Sequence, residues 1–394
     1  SHLQPFFSRR IGLAGGLELP LDSGVRIAGR TARWDLGFLA VHQGESGSAG
    51  TPENDLFVFR PTYALGEGLA LGGMLTSGNP ARTEGNTVIG ADLRWSTASA
   101  LPGNFHVNAF LSHSDDEFTA TRGLGFGAQA ELVTTNWNYR LSMIGSQSDY
   151  RPALGFVRRK GEMETAASIA WLPRPSRGPI RNFRFRLSPS WWTDLDATTV
   201  SSTLQIDFLG IFFDSGEEVL LSANVQSDHP GTAFGIVNGV TIAAGDYDWV
   251  DFNASFQTSS GRPLAVRTSM TVGDWYDGTL NRFRTDLIWR PDARMRTEVS
   301  YREERGSVTG GDFTVRIESL AFDYSFSTGL SLENLMQSDN ASDTLGVQSR
   351  LRWLIADGCE LFLVLNAGWV ERDRGLISPL GHDFTAKLVY AWRF

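Results

Sequence analysis

The chain has 394 residues and a formal net charge of −9, with only 20% charged residues but 11% aromatic residues, 42 glycines and 12 tryptophans. No window of about 18 residues is free of charged or strongly polar side chains, which excludes transmembrane helices. The acidic balance argues against nucleic acid as a partner, and the single cysteine, Cys359, excludes an internal disulfide.

Apolar and polar residues alternate along the whole chain in segments of about ten residues, which is the pattern of β-strands with two different faces. Clear examples are NTVIGADLRWST (86–97), FRFRLSPSWW (183–192), LNRFRTDLIW (280–289), ARMRTEVSYREE (293–304) and GVQSRLRWLI (346–355). In the last of these, Val347, Leu351 and Trp353 share one face, and Arg350 and Arg352 share the other. No helical periodicity interrupts the pattern, so the sequence predicts an all-β protein.

The connections between these segments alternate between short turns and longer or more polar loops, such as 112–123 and 372–382. Outer-membrane barrels have short periplasmic turns and long extracellular loops. The sequence therefore predicts a transmembrane antiparallel up-and-down β-barrel of about 22 strands, or about 20 if one weak segment is a loop, with both termini periplasmic.

The even strand count requires a first strand within PFFSRRIGL (5–13), followed by a loop up to residue 23. Residues 1–394 then form a single barrel domain. Because a barrel must be exported and no signal peptide precedes the first segment, we expect the chain to be a fragment of a longer protein.

Tryptophans fall near the ends of the predicted strands, and none lies in the middle of one. At the ends assigned to the periplasm lie Trp34, Trp95, Trp137, Trp171, Trp289, Trp353 and Trp392. At the opposite ends lie Trp191, Trp192, Trp249, Trp275 and Trp369. Indole rings prefer the headgroup region of a membrane, so this placement indicates two aromatic girdles.

The last segment, FTAKLVYAWRF (384–394), places Leu388, Tyr390, Trp392 and Phe394 on one apolar face. A strand that alternates in this way and ends in phenylalanine resembles the C-terminal insertion signal of bacterial outer-membrane barrels. We therefore expect the barrel-assembly machinery to be a partner, together with outer-membrane lipids and lipopolysaccharide.

Two stretches carry a more specific resemblance. PFFSRRIG near the start and LMQSDNASDTLGVQSRLRWLIADGCELFLVLNAGW (335–369), followed by the last segment, resemble the uncharacterised C-terminal barrel domain that follows a family-9-like carbohydrate-binding module in bacterial outer-membrane proteins. The module itself is absent from this chain. The resemblance implies a carbohydrate ligand bound through that module. Because the activity of the family is unsettled, no catalytic residue is carried over to this chain, and we predict no cofactor in the barrel.

Arginines accumulate on the polar faces of the C-terminal strands. The candidate lumen-lining residues are Arg282, Arg284, Arg294, Arg296, Glu298, Arg302, Arg316, Arg350 and Arg352. Such a wall attracts anionic or highly hydroxylated solutes. The alternative is a ladder of mutually neutralised charges, because Asp286, Glu304 and Glu318 are interspersed among the arginines.

Three other groups of residues have chemical potential but also a simpler explanation. The acidic run 115–117 carries oxygen donors for Ca²⁺ or for lipopolysaccharide bridged by a cation, but it also fits a solvated loop. Ser112, His113 and Asp115 adjoin one another, yet neighbours along a strand point to opposite faces and make a poor catalytic triad. The rim aromatics Trp191, Trp192, Trp275 and Tyr276 can stack on sugar rings or serve as girdle anchors. We therefore predict no metal site and no enzyme activity.

A barrel of about 22 strands is too wide for its own side chains to fill, so something must occupy or gate the lumen. Inward-folded loops, residues 14–23 and the absent N-terminal module are the candidates. The leading hypothesis is an outer-membrane channel or conduit for a polar or anionic solute or polymer, acting with that module in the periplasm. The alternatives are a closed barrel that only anchors the module and a barrel-embedded hydrolase.

Overall fold

The computed structural model describes residues 3–14, 16–47, 50–98, 103–237, 239–372 and 376–390. Within these ranges the helical structure consists of one 3₁₀ turn, Ser8–Arg10. No helix in the described ranges has the length and apolar character needed to cross a membrane. The remaining regular structure is β-strand, so the all-β prediction is confirmed.

Twenty-seven strands follow one another along the described residues. The first thirteen are β1 (Leu3–Gln4), β2 (Leu13–Ala14), β3 (Leu17–Glu18), β4 (Leu21–Arg30), β5 (Trp34–Gln43), β6 (Asn54–Gly66), β7 (Leu69–Ser77), β8 (Asn86–Thr97), β9 (Asn104–Asp116), β10 (Thr121–Val133), β11 (Trp137–Ser146), β12 (Phe156–Val157) and β13 (Glu162–Trp171). The others are β14 (Ile180–Asp194), β15 (Thr199–Phe213), β16 (Glu218–Asp228), β17 (Phe234–Gly235), β18 (Thr241–Ile242), β19 (Tyr247–Gln257), β20 (Leu264–Trp275), β21 (Gly278–Trp289), β22 (Met295–Val308), β23 (Gly311–Ser327), β24 (Leu330–Asp339), β25 (Thr344–Ala356), β26 (Cys359–Arg372) and β27 (Leu376–Tyr390).

Most of these strands belong to one barrel-like sheet. Six short strands pair among themselves, β1 with β12, β2 with β3 and β17 with β18, and the other 21 are ordered as in a closed barrel. Strands that adjoin in sequence pair antiparallel, as β9 does with β10 and β21 with β22. The predicted antiparallel barrel is therefore confirmed, whereas the predicted count of about 22 strands is not.

The strand predicted within residues 5–13 does not form. Ser8–Arg10 is a 3₁₀ turn, and the strand that precedes it, β1, pairs with β12 outside the barrel sheet. The first barrel strand in the described residues is β4, which begins at Leu21, inside the stretch predicted to be a loop. Because β4 begins at the end of the sheet that carries the loop 44–53, the expectation that both chain ends are periplasmic is not confirmed by strand order.

The chain divides into two compact units. The N-terminal unit contains residues 1–171 and 187–204, and the C-terminal unit contains residues 172–186 and 205–394. In the N-terminal unit, Phe59 opposes Phe38 on one side and Leu75 on the other, so apolar residues of successive strands share one face. We call this the outer face, because its exposed apolar side chains suit a lipid environment. The opposite, inner face carries Arg60 and Asp92.

In the C-terminal unit the last strand follows the predicted alternation. Leu388 opposes Leu361 on the outer face and is 64% exposed, whereas Val389 opposes Glu360 on the inner face. Tyr390 is the last described residue of the strand, and Trp392 and Phe394 lie outside the described residues. The insertion signal itself therefore stays a prediction.

Connections at one end of the sheet, here called the turn end, are short, and those at the other, the loop end, include the two longest, 147–161 and 229–246. Other connections at the loop end are shorter than predicted because the strands continue further. The predicted loop 112–123 is strand up to Asp116 and again from Thr121, and the predicted loop 372–382 is mostly β27. Only two residues join β20 to β21 and β22 to β23.

Tryptophans at the turn end form an outward-facing row. Trp34, Trp95, Trp137, Trp171, Trp289 and Trp353 are each between 39% and 47% exposed on the outer face. At the loop end Trp191 also faces outward, but Trp192, Trp249 and Trp275 do not. Trp192 packs under the guanidinium of Arg159, and Trp249 is only 7% exposed. The prediction of a loop-end girdle is therefore wrong for these three residues.

Candidate functional site on the inner face

Residues 3–14 and 16–20, here called the N-terminal segment, cover an apolar patch on the inner face of the N-terminal unit. Leu56 and Val58 lie on the inner face of β6 and are 1% and 6% exposed. Phe6 and Ile11 of the N-terminal segment pack against them. An empty lumen would leave these two wall residues in water, so the wall itself is built for an apolar occupant.

Among the described residues, most hydrogen bonds from the N-terminal segment to the rest of the chain go to one connection, residues 147–161, which we call the inner loop. One other bond joins the carbonyl of Pro20 to the N–H of Gly44 at 3.0 Å. Strand β1 pairs with β12 over two residues. The backbone N–H of Phe7 donates to the carbonyl of Leu154 at 2.7 Å, and Nε of Arg10 donates to the carbonyl of Gly155 at 3.0 Å. The N-terminal segment therefore depends on the position of the inner loop.

The inner loop is fixed to the barrel wall by buried polar contacts. Asn86, only 1% exposed, donates from Nδ2 to the carbonyl of Arg151 at 2.6 Å, and its Oδ1 accepts the N–H of Ala153 at 2.9 Å. Oγ of Ser114 accepts the N–H of Arg151 at 2.9 Å. These wall side chains satisfy loop backbone groups that would otherwise be buried without partners, so they select one docked position.

A trough of glycines lets the inner loop approach the wall. Gly123, Gly125 and Gly127 alternate along the inner face of β10. A Cβ at Gly123 would lie 2.2 Å from the backbone N of Tyr150, and one at Gly125 would lie 2.7 Å from the Tyr150 ring. The stretch RGLGFG (122–127) was the available sequence signal for this close approach, because glycines in a strand interior often mark one.

Tyr150 occupies the trough and is fully buried. Its hydroxyl shares a hydrogen bond of 2.8 Å with Oγ of Ser112, which also donates to the carbonyl of Gly125 at 3.1 Å. Burial raises the pKa of Tyr150 to about 12. The side chain is therefore a neutral, hydrogen-bonded anchor for the inner loop.

The serine, histidine and aspartate at 112–115 do not come together. Ser112 and Ser114 lie on the inner face, whereas His113 opposes Ile89 on the outer face, and Asp115 on that face pairs with Arg122 at 2.8 Å. Alternation along β9 separates nucleophile from base, as expected for a strand. The arrangement offers no triad at this position.

The acidic run at 115–117 diverges in the same way. Asp116 turns inward and accepts hydrogen bonds from Asn86 at 3.0 Å and from Thr119, while Oε2 of Glu117 accepts the N–H of Gly85 at 2.8 Å. In the described ranges, no three His, Cys, Asp or Glu side chains are grouped to hold a metal ion.

A cavity of about 830 Å³ lies against the N-terminal segment. Phe6, Arg26, Arg60 and Asp92 are among the residues that line it. Arg60 is ion-paired with Asp92 and also donates to the carbonyl of Gly73 at 3.0 Å. Apolar side chains such as Leu39 and Val58 also line the cavity on the wall side, so its lining is mainly apolar and the paired Arg60 and Asp92 supply a local polar contact.

In the C-terminal unit a second connection, residues 229–246, folds over the inner face at the loop end, and we call it the cap loop. Val240 and Ile242 of the cap loop form a buried cluster with Leu280, Val308 and Phe313. Gly310 makes room for it, because a Cβ there would lie 2.1 Å from the carbonyl oxygen of Thr241. Inward-folded loops were one of the predicted ways to fill the barrel.

Aromatic rings surround the cap loop. The ring of Tyr276 lies 4.8 Å from that of Trp249 and 5.1 Å from those of Tyr247 and Trp275. The hydroxyl of Tyr276 donates to Asp228 at 2.7 Å. Because this cluster lies on the inner face and packs against the cap loop, Trp249 and Trp275 act as core residues of the loop end.

The predicted arginines of the C-terminal unit share the inner face with carboxylates. Arg282 lies 3.6 Å from Glu304, Arg284 3.0 Å from Asp286, Arg296 2.9 Å from Asp323, Arg350 3.7 Å from Glu333 and Arg352 2.6 Å from Glu360. Arg296 is also paired with Glu298. Arg302, on the same face, opposes Arg284 and has no ion pair among the described residues. These contacts support the neutralised ladder over an open cationic wall.

Arg316 and Arg294 do not lie where the sequence placed them. Arg316 opposes Glu303 on the outer face, where Glu303 also accepts contacts from Arg305 and Tyr301, each at 2.7 Å. The alternation inverts here because the cap loop buries Phe313 on the inner side, while the outer side carries charges. Arg294 precedes β22 and is exposed in the turn.

Sequence reasoning did not identify Asp207, and it did not predict that Asp286, one of the acidic residues interspersed among the arginines, is buried. The side chains of Asp207 and Asp286 are fully buried. Arg186 approaches Asp207 at 2.9 Å and Arg184 approaches it at 3.4 Å, much as Arg284 approaches Asp286. Two arginines that share one carboxylate cross-link neighbouring strands, and a sequence without strand register cannot show such a pairing.

Solved structures with a similar fold are named as receptors and transporters. The siderophore receptor PirA from Acinetobacter baumannii aligns over 94% of this chain and 77% of its own, with a TM-score of 0.61 and 9% identity. The copper transporter OprC aligns over 94% and 77%, with a TM-score of 0.57 and 10% identity. The FrpB iron transporter from Neisseria meningitidis aligns over 93% and 79%, with a TM-score of 0.55 and 12% identity.

The fold and its exposed apolar outer face define the class: the chain is an outer-membrane β-barrel with the architecture of receptor and transporter barrels. No family model and no curated protein matches the sequence. At such low identity the likeness carries the fold, and the function has to be argued from the site.

Proposed function

We propose that this chain is a transport barrel that passes a polar or anionic solute across the outer membrane, and that its passage is closed here by inward-folded segments. The observation that carries the proposal is the different attachment of the two segments in the N-terminal unit. The inner loop is tied to the wall by Asn86, Ser112 and Ser114. The described contacts of the N-terminal segment with the inner loop are one strand pairing of two residues and two further hydrogen bonds. A weakly held segment over a fixed loop is suited to move.

The solute class follows from the inner face. Ion pairs neutralise most of the inner arginines of the C-terminal unit, so the broad wall favours hydrated polar solutes without a strong preference for charge. The names of the similar structures, a siderophore receptor, a copper transporter and an iron transporter, are compatible with a solute of this kind.

The path of the N-terminal segment supports the topology predicted from the sequence, with the turn end in the periplasm. Leu3 and Phe6 lie beside Arg26 and Asp92, partway along the wall, and Leu13 lies beside Asn79 near the loop end. The chain thus rises along the inner face before β4 begins. A module that precedes the barrel would then lie on the periplasmic side, and the sequence of the full-length gene product tests whether one is present.

The transport proposal is tested by conductance in planar lipid bilayers. We compare the full chain with the double variant Phe6→Ser, Ile11→Ser, which removes the apolar contacts of the N-terminal segment with Leu56 and Val58. The control is Leu195→Ser, which replaces an exposed apolar side chain in the connection between β14 and β15, outside both inward-folded connections. We expect larger and longer openings for the double variant than for the full chain or the control.

The opposite outcome favours the second candidate function, a closed barrel that anchors another module. If the double variant folds, as shown by a heat-modifiable gel shift, and still seals the bilayer at every voltage, the barrel is not a conduit. The inner loop, anchored by the fully buried Tyr150 and Leu154, and the cap loop both stay in place in this variant, and they favour the anchor.

A further inference from the structure

A second cavity, of about 340 Å³, lies at the loop end of the N-terminal unit. Its walls come from the N-terminal segment, the connection 78–85 between β7 and β8, the connection 117–120 between β9 and β10, and the inner loop. Four cationic side chains line it, Arg10, Arg82, Arg151 and Lys160, against one carboxylate, Asp116. This charge imbalance differs from the neutralised arginine ladder of the C-terminal unit.

The one carboxylate in the lining, that of Asp116, already accepts three hydrogen bonds. Asp116 accepts the N–H of Thr119 at 2.9 Å, its hydroxyl at 2.8 Å and Nδ2 of Asn86 at 3.0 Å. These bonds orient Asp116 toward the loop backbone and wall, so it does not neutralise the cavity by direct ion pairing.

The four cations have no carboxylate partner within the described residues. Arg82 stacks over the ring of Phe118, with 3.6 Å between guanidinium carbon and ring centroid. Nε of Arg10 donates a hydrogen bond to the carbonyl of Gly155, and Nε of Arg151 is buried without a hydrogen-bond partner. A buried guanidinium N–H with nothing to donate to is costly, which indicates that a ligand or solvent completes the site.

The electrostatics of Lys160 agree with this geometry. Partial burial of the ammonium and the neighbouring guanidinium of Arg151 lower the pKa of Lys160, and Arg10 acts in the same direction, while Asp116 opposes them. A cation crowded by cations is stabilised by an added anion.

We propose that this cavity binds a compact polyvalent oxyanion with phosphate chemistry, taken from solution at the loop end of the barrel. Guanidinium groups match the oxygens of phosphate, and convergent cations in a concave site strengthen the match. Because the cavity opens on the inner face, a free phosphate reaches it more readily than a lipid headgroup does. The role of this cavity as a solute site rests on the proposed transport function. Binding of the anion in detergent can be measured without transport.

The chain provides a direct assay, because Lys160 and Lys387 are its only lysines. The refolded full chain in detergent is treated with an amine-acylating reagent, with pyrophosphate or with sodium chloride at equal ionic strength, and the modified peptides are quantified by mass spectrometry. At about ten times the dissociation constant of pyrophosphate, acylation of Lys160 is expected to slow about tenfold, while Lys387 reacts at an unchanged rate.

Variants separate the pocket from general charge effects. Arg82→Gln and Arg151→Gln are expected to abolish the protection, and Arg122→Gln, which removes an outer-face arginine paired with Asp115, is expected to keep it. The gel shift reports whether each variant is folded, and Arg82, in an exposed connection, keeps the test available if Arg151→Gln does not fold. Equal protection by chloride, or protection by lipopolysaccharide but not by pyrophosphate, would overturn the proposal. Failure of conductance with retained protection refutes transport alone.

Discussion

In the last strand, the face that a residue occupies decides whether its side chain meets lipid or the barrel interior. Leu388 opposes Leu361 on the outer face, and its neighbour Val389 opposes Glu360 on the inner face. The two positions are one residue apart and therefore nearly equal in depth, so a charge placed at each compares lipid with the barrel interior.

We predict that Leu388→Arg impairs folding and Val389→Arg does not. A lipid-facing arginine costs about 2–4 kcal/mol near the middle of a bilayer and less toward the interfaces, whereas the new guanidinium at position 389 faces Glu360 and water. Folding into lipid vesicles, followed by the heat-modifiable gel shift, measures the difference. Equal folding of the two variants would show that this strand does not face lipid as described.

Tyr150 makes the docking of the inner loop dependent on pH. Burial raises its pKa to about 12, whereas a tyrosine released to water titrates near 10. The contribution of Tyr150 to docking is therefore complete below about pH 10 and is lost as the pH rises toward about 12, because the released form gives up its proton first.

Limited proteolysis of residues 147–161 across this range is the measurement, and Tyr150→Phe is the control. We expect cleavage to rise with pH in the unaltered chain and to depend far less on pH in the variant, which has no hydroxyl to ionise. The same pH dependence in both chains would assign the effect to another group.

At the scale of an element, hydrogen bonds to the barrel wall fix the inner loop more than its own internal contacts do. Asn86 bonds to Arg151, Ala153 and Asp116 from one buried side chain. We predict that Asn86→Ala costs about 1–3 kcal/mol, because it leaves a buried carbonyl and a buried N–H without partners.

Hydrogen–deuterium exchange should then increase within residues 147–161 and in the N-terminal segment that depends on them. Gln348→Ala is a suitable control, because Gln348 is exposed and its hydrogen bond to Asn366 spans two surface side chains. Its expected effect is within about 0.5 kcal/mol. Unchanged exchange in Asn86→Ala would mean that apolar packing alone fixes the inner loop.

The elements also show which features the sequence could predict. Alternation was sufficient for strands such as β21 and β25, whose two faces meet constant environments along most of their length. It failed for residues 5–13, where Phe6 and Ile11 are apolar because they cover Leu56 and Val58. It failed for Arg316 because the cap loop, 70 residues away in sequence, buries the inner side of β23 at that height. Contacts that distant leave no local period to detect.

For the whole molecule, the sequence predicted that arginines and acidic residues share the inner face, but it did not predict which of these charges form ion pairs. The sequence showed arginines with interspersed acids, and register decided that most of them pair. Four cations that have no carboxylate partner among the described residues, Arg10, Arg82, Arg151 and Lys160, line one cavity of the N-terminal unit. They come from three stretches of the chain that look unrelated in sequence. Only folding brings them to one cavity.

The outer-face charges at Glu303, Arg305 and Arg316 mark one edge of the apolar outer surface, and they therefore set its height. On the outer face of β22, Thr297 opposes Trp289 of the turn-end row, and Glu303 follows six residues later. At about 3.3 Å per residue this is about 20 Å along the strand, and less along the membrane normal because barrel strands tilt. A typical barrel has an apolar band about 25 Å tall.

The apolar belt at these strands is thus narrower than the hydrocarbon core of the bilayers in which membrane proteins are usually reconstituted. Either the surrounding bilayer becomes thinner or the charged side chains enter its hydrocarbon region. Either adjustment costs free energy that grows with the mismatch. We therefore expect the chain to insert faster and more completely into vesicles whose acyl chains are short. Insertion yields that do not vary with acyl-chain length would mean that these charges lie inside the hydrocarbon region at no cost. A belt this narrow suits the protein to a membrane thinner than average.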